Sequence, residues 1–219
     1  MKYRHAFLQL VSLLTLCLVG WAVYQAVQQP TIGAFWGYTS GVIYEVDSAH
    51  PSADLVQVGD RIIQGNDLAP AQFYKLSGLG PGDTVVVEIE RNNQQESYSL
   101  SVTSPALRTV FERLIPILIG LTFWIVGNLV LAFSRQGLTP ILFFLACQSA
   151  AISLSAGAIS SYSPDWVKVL LHIGLIWAGA FGVNLHFVFP VKSVRGITKT
   201  AASIIVGAAL TISLIFIVG

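Results

Sequence analysis

The side chains in this sequence with the clearest potential for chemistry lie in an apolar segment near the C-terminus. His172, Asn184 and His186 fall within one predicted membrane span, Val169–Phe189. Polar and ionisable residues inside a bilayer are costly and often functional. The two histidines are 14 positions apart, about 21 Å along a helix, so they do not share one metal ion. Because both lie near span ends, the competing interpretation is neutral, hydrogen-bonded histidines at the membrane interface.

Two serines suggest a second chemistry. Ser153 and Ser155 lie in a segment rich in Gly and Ala, and pairing of either with His172 or His186 would form an intramembrane serine protease. Serines that let helices pack closely explain the same residues more simply. The chain has neither an H-E-x-x-H motif nor a G-x-S-x-G motif. The sequence therefore predicts no catalytic site in this chain.

The cysteines and charges exclude further classes. Cys17 and Cys147 each lie inside an apolar run and are too few for a disulfide framework or a metal site. No phosphate-binding loop is present. The net charge of +1 does not suggest a polyanionic partner. We therefore expect no metal, no cofactor and no nucleic acid.

The composition indicates a chain solvated mainly by lipid. Charged residues make up only 11%, against about 25% in soluble domains. The first apolar segment is longer than a signal peptide core and no clear A-x-A site follows it, which favours a retained anchor. Five segments are long enough to cross a bilayer: Ala6–Val27, Leu114–Phe133, Leu138–Ile159, Val169–Phe189 and Ala201–Gly219. Because the last residue falls inside a span, the chain is expected to be the front part of a longer protein.

The charges are sharply segregated along the chain. Residues 30–104 carry nine of the 11 acidic residues and three basic ones, whereas the remainder carries nine basic residues. Basic residues near span ends resist translocation. This pattern predicts a cytoplasmic N-terminus and places residues 30–104 on the extracytoplasmic side. The predicted cytoplasmic basic residues are Lys2, Arg4, Arg135, Lys192, Arg195 and Lys199.

The stretch between the first two spans has a β-rich pattern. The apolar run from Val42 to Val46 leads through a turn to Gly59-Asp60, where a second apolar run begins. A short helix is predicted over Ala71–Leu79, before Gly80-Pro81-Gly82. Strands are predicted at Thr84–Glu90 and Ser97–Val102, joined by a polar turn over Arg91–Gln95. The predicted domains are an N-terminal anchor (1–29), an extracytoplasmic domain (30–104) and a helical membrane region (105–219).

The order of a GV strand, an SPA-like turn and an L-x-x-GD-x-I segment resembles the signature of PDZ domains. The resemblance implies an α+β chain in which a PDZ-like β-barrel or sandwich lies between about five spans. It assigns fold-defining roles to Gly41, Gly59 and Asp60. PDZ domains bind an extended peptide as an added strand, between a sheet edge and a helix, and capture its terminal carboxylate with backbone N–H groups of the loop before that edge strand. On this sequence the loop is 31–34, with Thr31 where the usual pattern has a glycine. Carried onto this sequence, the peptide-binding residues are Ile32, Gly33, Ala34, Phe35, Tyr38, Phe73 and Leu76.

The segment Leu185–Pro190 contains H-x-x-x-P, which resembles the end of a membrane helix in multi-span bacterial histidine kinases of the competence quorum-sensing type. The resemblance implies a signal-input module in the bacterial cytoplasmic membrane. Its partners would be the lipid bilayer, an extracytoplasmic peptide or protein, and a second copy in a homodimer. The kinase core would lie outside this chain. Two alternatives remain open, namely a membrane-protease component that positions clients, and a structural module without a ligand.

Overall fold

The computed structural model describes residues 2–37, 40–73, 76, 78–134, 137–188 and 195–218. The chain combines α-helices and β-strands and divides into two compact units. One unit comprises residues 25–111 and 161–163, and the other comprises residues 1–24, 112–160 and 164–219. In chain order the elements are α1 (Lys2–Gln28), β1 (Ala34–Trp36), β2 (Ile43–Val46), β3 (Arg61–Gly65), α2 (Pro70–Phe73), β4 (Thr84–Arg91), β5 (Gln94–Ser101), α3 (Leu107–Phe133), α4 (Leu138–Ile159), α5 (Trp166–Val188) and α6 (Arg195–Val218).

The strands form two small antiparallel sheets. One contains β1 and β2, and the other has the order β3-β4-β5. Val85, Val87 and Ile89 alternate along β4 and are fully buried, which confirms the predicted strand. The hairpin turn is shorter than predicted. Asn92 and Asn93 alone form it, with φ values of 51° and 63°, as in the tight turns that match strand twist.

Single bridges join the two sheets. Val42 pairs with Arg61, and Thr31 pairs with Thr103. No continuous hydrogen-bond ladder closes the described strands into a barrel, so the expectation of an α+β chain is confirmed without its closed barrel. One apolar core nevertheless contacts both sheets. It contains Ile32, Ala34, Trp36, Ile43, Val56, Ile62, Phe73, Leu76, Val85, Val87, Ile89, Leu100 and Val102.

The helix predicted over Ala71–Leu79 is present only in part: among its described residues, 71–73 are helical, whereas Leu76, Gly78 and Leu79 are not. The helical part is the single turn α2, Pro70–Phe73. Leu76 has a φ of 43°, and its N–H donates to the carbonyl oxygen of Phe73 in a tight turn. A bulky residue in the left-handed region does not continue an α-helix.

In the described part of the chain, five helices are long and apolar enough to span a membrane, which is compatible with a multi-pass membrane protein. The candidate spans are His5–Gln28, Leu107–Phe133, Leu138–Ile159, Trp166–Val188 and Thr200–Ile217. The predicted and observed limits of α4 coincide. By contrast, α3 begins at Leu107 rather than Leu114. The charged residues in its first turns lower the local hydropathy, so a span predicted from apolar residues starts later.

Glycines allow close packing on α4 in the helical unit. A methyl group on Gly127 of α3 would lie 2.8 Å from Cβ of Cys147, and one on Gly174 of α5 would lie 2.9 Å from the amide nitrogen of Ser153. Contacts this short leave no room for a side chain. Small residues at helix interfaces give close packing in a bilayer, where no hydrophobic effect drives association. The predicted packing role of the small residues of this span is confirmed.

Candidate peptide-binding groove

Strand β1 is the element that positions the predicted peptide-binding residues. It is an edge strand, because among the described strands it pairs only with β2. Asp47 N–H donates to the carbonyl oxygen of Gly33 at 2.8 Å, so Gly33 faces β2. Backbone groups alternate in direction along an antiparallel strand. The N–H and C=O of Ala34 therefore face the opposite edge, where an added strand would pair.

The side chains of β1 face a closed core. Trp36 and Phe73 stack with ring centroids 5.7 Å apart, and both are buried. A methyl group on Gly65 would lie 2.5 Å from the Phe73 ring, so this ring packs directly on the backbone of β3. Leu76 is buried in the same core. The structure thus brings Trp36 and Phe73 together in the core next to β1.

The seven predicted peptide-binding residues do not share one environment. Ile32, Ala34, Phe73 and Leu76 have their side chains in the core. Gly33 is buried and Phe35 is partly exposed. Tyr38 lies outside the described residues. Contact of these residues with a peptide stays a prediction, which the backbone of β1 supports more directly than the side chains of Phe73 and Leu76.

The loop before β1, where the resemblance places carboxylate capture, uses its own N–H groups internally. Gly33 N–H donates to Oγ1 of Thr31 at 3.1 Å. Thr31 N–H donates to the carbonyl oxygen of Thr103 at 3.0 Å, and Thr103 N–H donates back to Thr31 at 2.9 Å. A carboxylate bound at Gly33 would first have to displace the Thr31 hydroxyl. The threonine that departs from the usual glycine pattern is therefore the residue that occupies this donor.

His50 packs against the same loop. A methyl group on Gly33, whose φ is 77°, would overlap the His50 ring, so glycine permits both the backbone conformation and the contact. Nδ1 of His50 accepts a hydrogen bond from Ser52 N–H at 3.1 Å, which leaves the proton of the neutral ring on Nε2. Burial lowers the pKa of His50, and the nearby Asp47 carboxylate partly opposes that shift. The ring is therefore neutral at pH 7.

Asp60 forms the main polar contact of the domain. Arg91 donates from Nε to Oδ1 at 2.9 Å and from Nη2 to Oδ2 at 2.6 Å, which makes a bidentate ion pair. Nη2 also donates to the carbonyl oxygen of Leu55, and Gln57 N–H donates to Oδ2 of Asp60. These hydrogen bonds, above all those from Arg91, hold the pKa of Asp60 below its usual range. The pair fastens the loop before β3 to the end of β4.

The two predicted fold-defining glycines have different physical reasons. Gly41 has a φ of 70°, and a Cβ there would overlap the carbonyl oxygen of Ile62. Gly59 has a φ of 97° with no atom within 4 Å of the position of a Cβ. Gly41 is therefore required by both conformation and space, whereas Gly59 is required by conformation alone. Gly41 lies just before β2, and Gly59 lies just before β3.

The sequence interpretation missed two residues of this region, Arg91 and His50. Arg91 was assigned to the polar turn, yet it continues the odd-numbered alternation of Val85, Val87 and Ile89 and so lies on the core side of β4. That alternation was a usable signal. His50 stands in a turn segment whose pattern carries no sign that the ring packs on Gly33.

The polar residues of the helical unit form no catalytic arrangement with one another in the described chain. Nδ1 of His172 lies 2.6 Å from the carbonyl oxygen of Lys168, and the ring stacks on Phe216. Ser153 Oγ donates to the carbonyl oxygen of Ala150 rather than to a histidine. His186 is exposed. No group of three or more potential metal ligands occurs among the described residues.

Asn184 differs from the histidines because it is buried. Its Nδ2 donates to the carbonyl oxygen of Ala180 at 2.9 Å, whereas its Oδ1 has no hydrogen-bond partner.

Comparison with models of known protein families and with curated protein sequences found no match for this chain. Functional conclusions therefore rest on the geometry described above.

Proposed function

We propose that the chain is a membrane signal-input module. A PDZ-like domain recognises an extracytoplasmic peptide or protein partner, and the helices transmit the change to a histidine kinase core that lies outside this chain. The observation that carries the proposal is the edge position of β1, which among the described strands pairs only with β2, with the backbone groups of Ala34 directed away from β2. Peptides that add a strand to an edge of this kind gain affinity from main-chain hydrogen bonds.

The core beneath β1 supports strand addition. The stacked rings of Trp36 and Phe73, held against Gly65, keep the strand from moving when a ligand pairs with it. An edge of fixed conformation loses little entropy on binding, which favours affinity. In this proposal the rings form the floor of the site, while the backbone of Ala34 makes the directional contacts.

The loop before β1 offers a route for transmission. The segments that follow α1 and precede α3 are joined by the two hydrogen bonds between Thr31 and Thr103. Thr31 also accepts the hydrogen bond from Gly33. A ligand that accepts the hydrogen bond of the Gly33 N–H displaces the Thr31 hydroxyl. The displacement perturbs the hydrogen-bonded segments that lead to α1 and α3. The ligand shifts the equilibrium between two arrangements of the helices only by as much as its affinities for those arrangements differ.

The proposed location is the bacterial cytoplasmic membrane, with the N-terminus in the cytoplasm and residues 30–104 outside. The charge segregation along the sequence supports this orientation. Trp21 near the end of α1 stacks on Trp166 at the start of α5, with ring centroids 5.1 Å apart. Paired tryptophans at helix ends are typical of the membrane–water interface. A homodimer is part of the proposal because kinase cores of this type act in pairs.

Hydrogen exchange of the whole chain in lipid nanodiscs tests the recognition step. The low-molecular-weight fraction of conditioned medium from the producing cells is the first probe, and peptides that it yields are then synthesised. Bound peptide is expected to slow exchange of the Ala34 amide and to leave the Phe35 amide, which faces β2, unchanged. Equal exchange of Ala34 with and without every fraction would favour the structural module without a ligand.

Transmission to a kinase core has a separate test. The coding sequence after the codon for Gly219 is expected to encode a kinase core. A downstream region that encodes an intramembrane protease, or no output domain, would refute transmission to a kinase even if the Ala34 amide becomes protected.

A further inference from the structure

A cleft in the helical unit lies among α4, α5 and α6, separate from the predicted peptide groove. Its volume is about 330 Å³, near the lower end of the range of roughly 300–1,000 Å³ for small-molecule sites. Apart from Asn184, every described residue that lines it is apolar. The walls include Leu138 and Leu142 of α4, Phe181 and Phe187 of α5, and Ala202 and Val206 of α6.

Asn184 is the polar group of this cleft. Its side chain is only 4% exposed. One half of the amide is satisfied, since Nδ2 donates to Ala180, but the Oδ1 acceptor has no partner. A buried polar atom without a hydrogen bond is destabilising, and hydrocarbon supplies no water to replace the missing donor. The wall of the cleft therefore contains one unused hydrogen-bond acceptor, Oδ1 of Asn184, which is itself buried.

We propose that this cleft binds a neutral single-chain lipid that carries a hydroxyl group next to its chain, of the monoacylglycerol type. The hydroxyl donates to Oδ1 of Asn184, and the chain packs on the apolar walls. Asn184 lies four residues before Val188, the last described residue of α5, about 6 Å along the helix axis, and so near one end of the span.

The residues that line the cleft favour a neutral single-chain lipid over an ionic lipid, a two-chain lipid or a peptide. Among the described residues that line the cleft, none carries a charge that would attract an ionic headgroup. The volume accommodates one chain more readily than two. A peptide would bring several amide groups, whereas the lining offers one free acceptor. The inference does not depend on peptide recognition, because the cleft and β1 belong to different units of the chain.

Competition photolabelling of the full chain tests the proposal. The probe is a monoacylglycerol with a diazirine in its chain, added to the delipidated protein in detergent, and labelled segments are located by mass spectrometry. Monoolein and methyl oleate are the matched competitors, since they share a chain but only monoolein has hydroxyl donors. Labelling of α5 and α6 is expected, with monoolein competing about three- to tenfold more strongly, the value of one hydrogen bond.

Two variants make the outcome specific. In Asn184→Leu, which keeps the branched side-chain shape without an acceptor, the two competitors are expected to become equal while labelling persists. This variant removes an unsatisfied buried group, so its thermal stability should not fall. In Ala202→Trp, which fills the cleft, labelling of both helices should be lost. Equal competition in the unmodified chain, a monoolein preference that survives Asn184→Leu, or labelling that survives Ala202→Trp would each overturn the proposal.

Discussion

The ion pair between Asp60 and Arg91 gives the sharpest stability prediction. The side chain of Asp60 is 4% exposed and that of Arg91 is 23% exposed. Breaking a fully buried pair by removal of one partner costs about 3–5 kcal/mol. Because water reaches the guanidinium in part, we expect Asp60→Asn to lower the free energy of unfolding of the domain by about 2–4 kcal/mol. The loss includes the hydrogen bond from Gln57 N–H, which Asn accepts more weakly.

The matched control is Glu90→Gln, the same carboxylate-to-amide change at an exposed pair. Arg61 and Glu90 are 3.8 Å apart, with side chains 60% and 36% exposed. Pairs of this kind contribute at most about 1 kcal/mol. Hydrogen exchange of the Val87 amide in the centre of β4, followed in nanodiscs, reports the free energy of opening for both variants. Equal losses in Asp60→Asn and Glu90→Gln would refute the reasoning that burial gives the Asp60 pair its strength.

Three further predictions follow from the loops around β1 and β2. Burial lowers the pKa of His50 below the unfolded value of 6.5, so the unfolded state binds the proton more readily. The free energy of unfolding should therefore fall as pH drops from about 7.5 to about 5.5, and this pH dependence should weaken in His50→Leu. An unchanged pH dependence in the variant would argue against a lowered pKa of His50 as its cause. Gly41→Ala should lower thermal stability more than Gly59→Ala, because only Gly41 lacks space for a Cβ, and equal losses would contradict this. A disulfide between Thr31→Cys and Thr103→Cys, which replaces a hydrogen-bonded strand pair, should preserve peptide protection of Ala34 and abolish kinase output; unchanged output would exclude these connections as the route of transmission.

The membrane spans and the longest hairpin could be predicted because their signals are local. Apolar runs of sufficient length fix α4 at the predicted limits, Leu138 and Ile159. Alternation places Val85, Val87 and Ile89 on the buried face of β4. These patterns arise from repeated contact of one face or one whole segment with an apolar environment, so neighbouring residues report the same burial.

The polar contacts of the domain could not be predicted in the same way. Arg91 and Asp60 are 31 positions apart, and their pairing depends on how β3 and β4 align. The left-handed backbone at Leu76 interrupts the predicted helix, and a bulky residue rarely adopts this conformation. Helical spacing places Phe73 and Leu76 on one face, but it does not tell whether that face meets a ligand or the core. In the structure it meets the core.

The orientation of the domain is the most direct test of the signal-input proposal. In a background with Cys17→Ala and Cys147→Ala, a single cysteine replaces either Asn93 in the turn between β4 and β5 or Ser134 after α3. Both positions are exposed. A membrane-impermeant maleimide is predicted to label Asn93→Cys in intact cells and Ser134→Cys only after the cells are broken open. Labelling of Asn93→Cys only in broken cells would place the domain in the cytoplasm and contradict extracytoplasmic sensing.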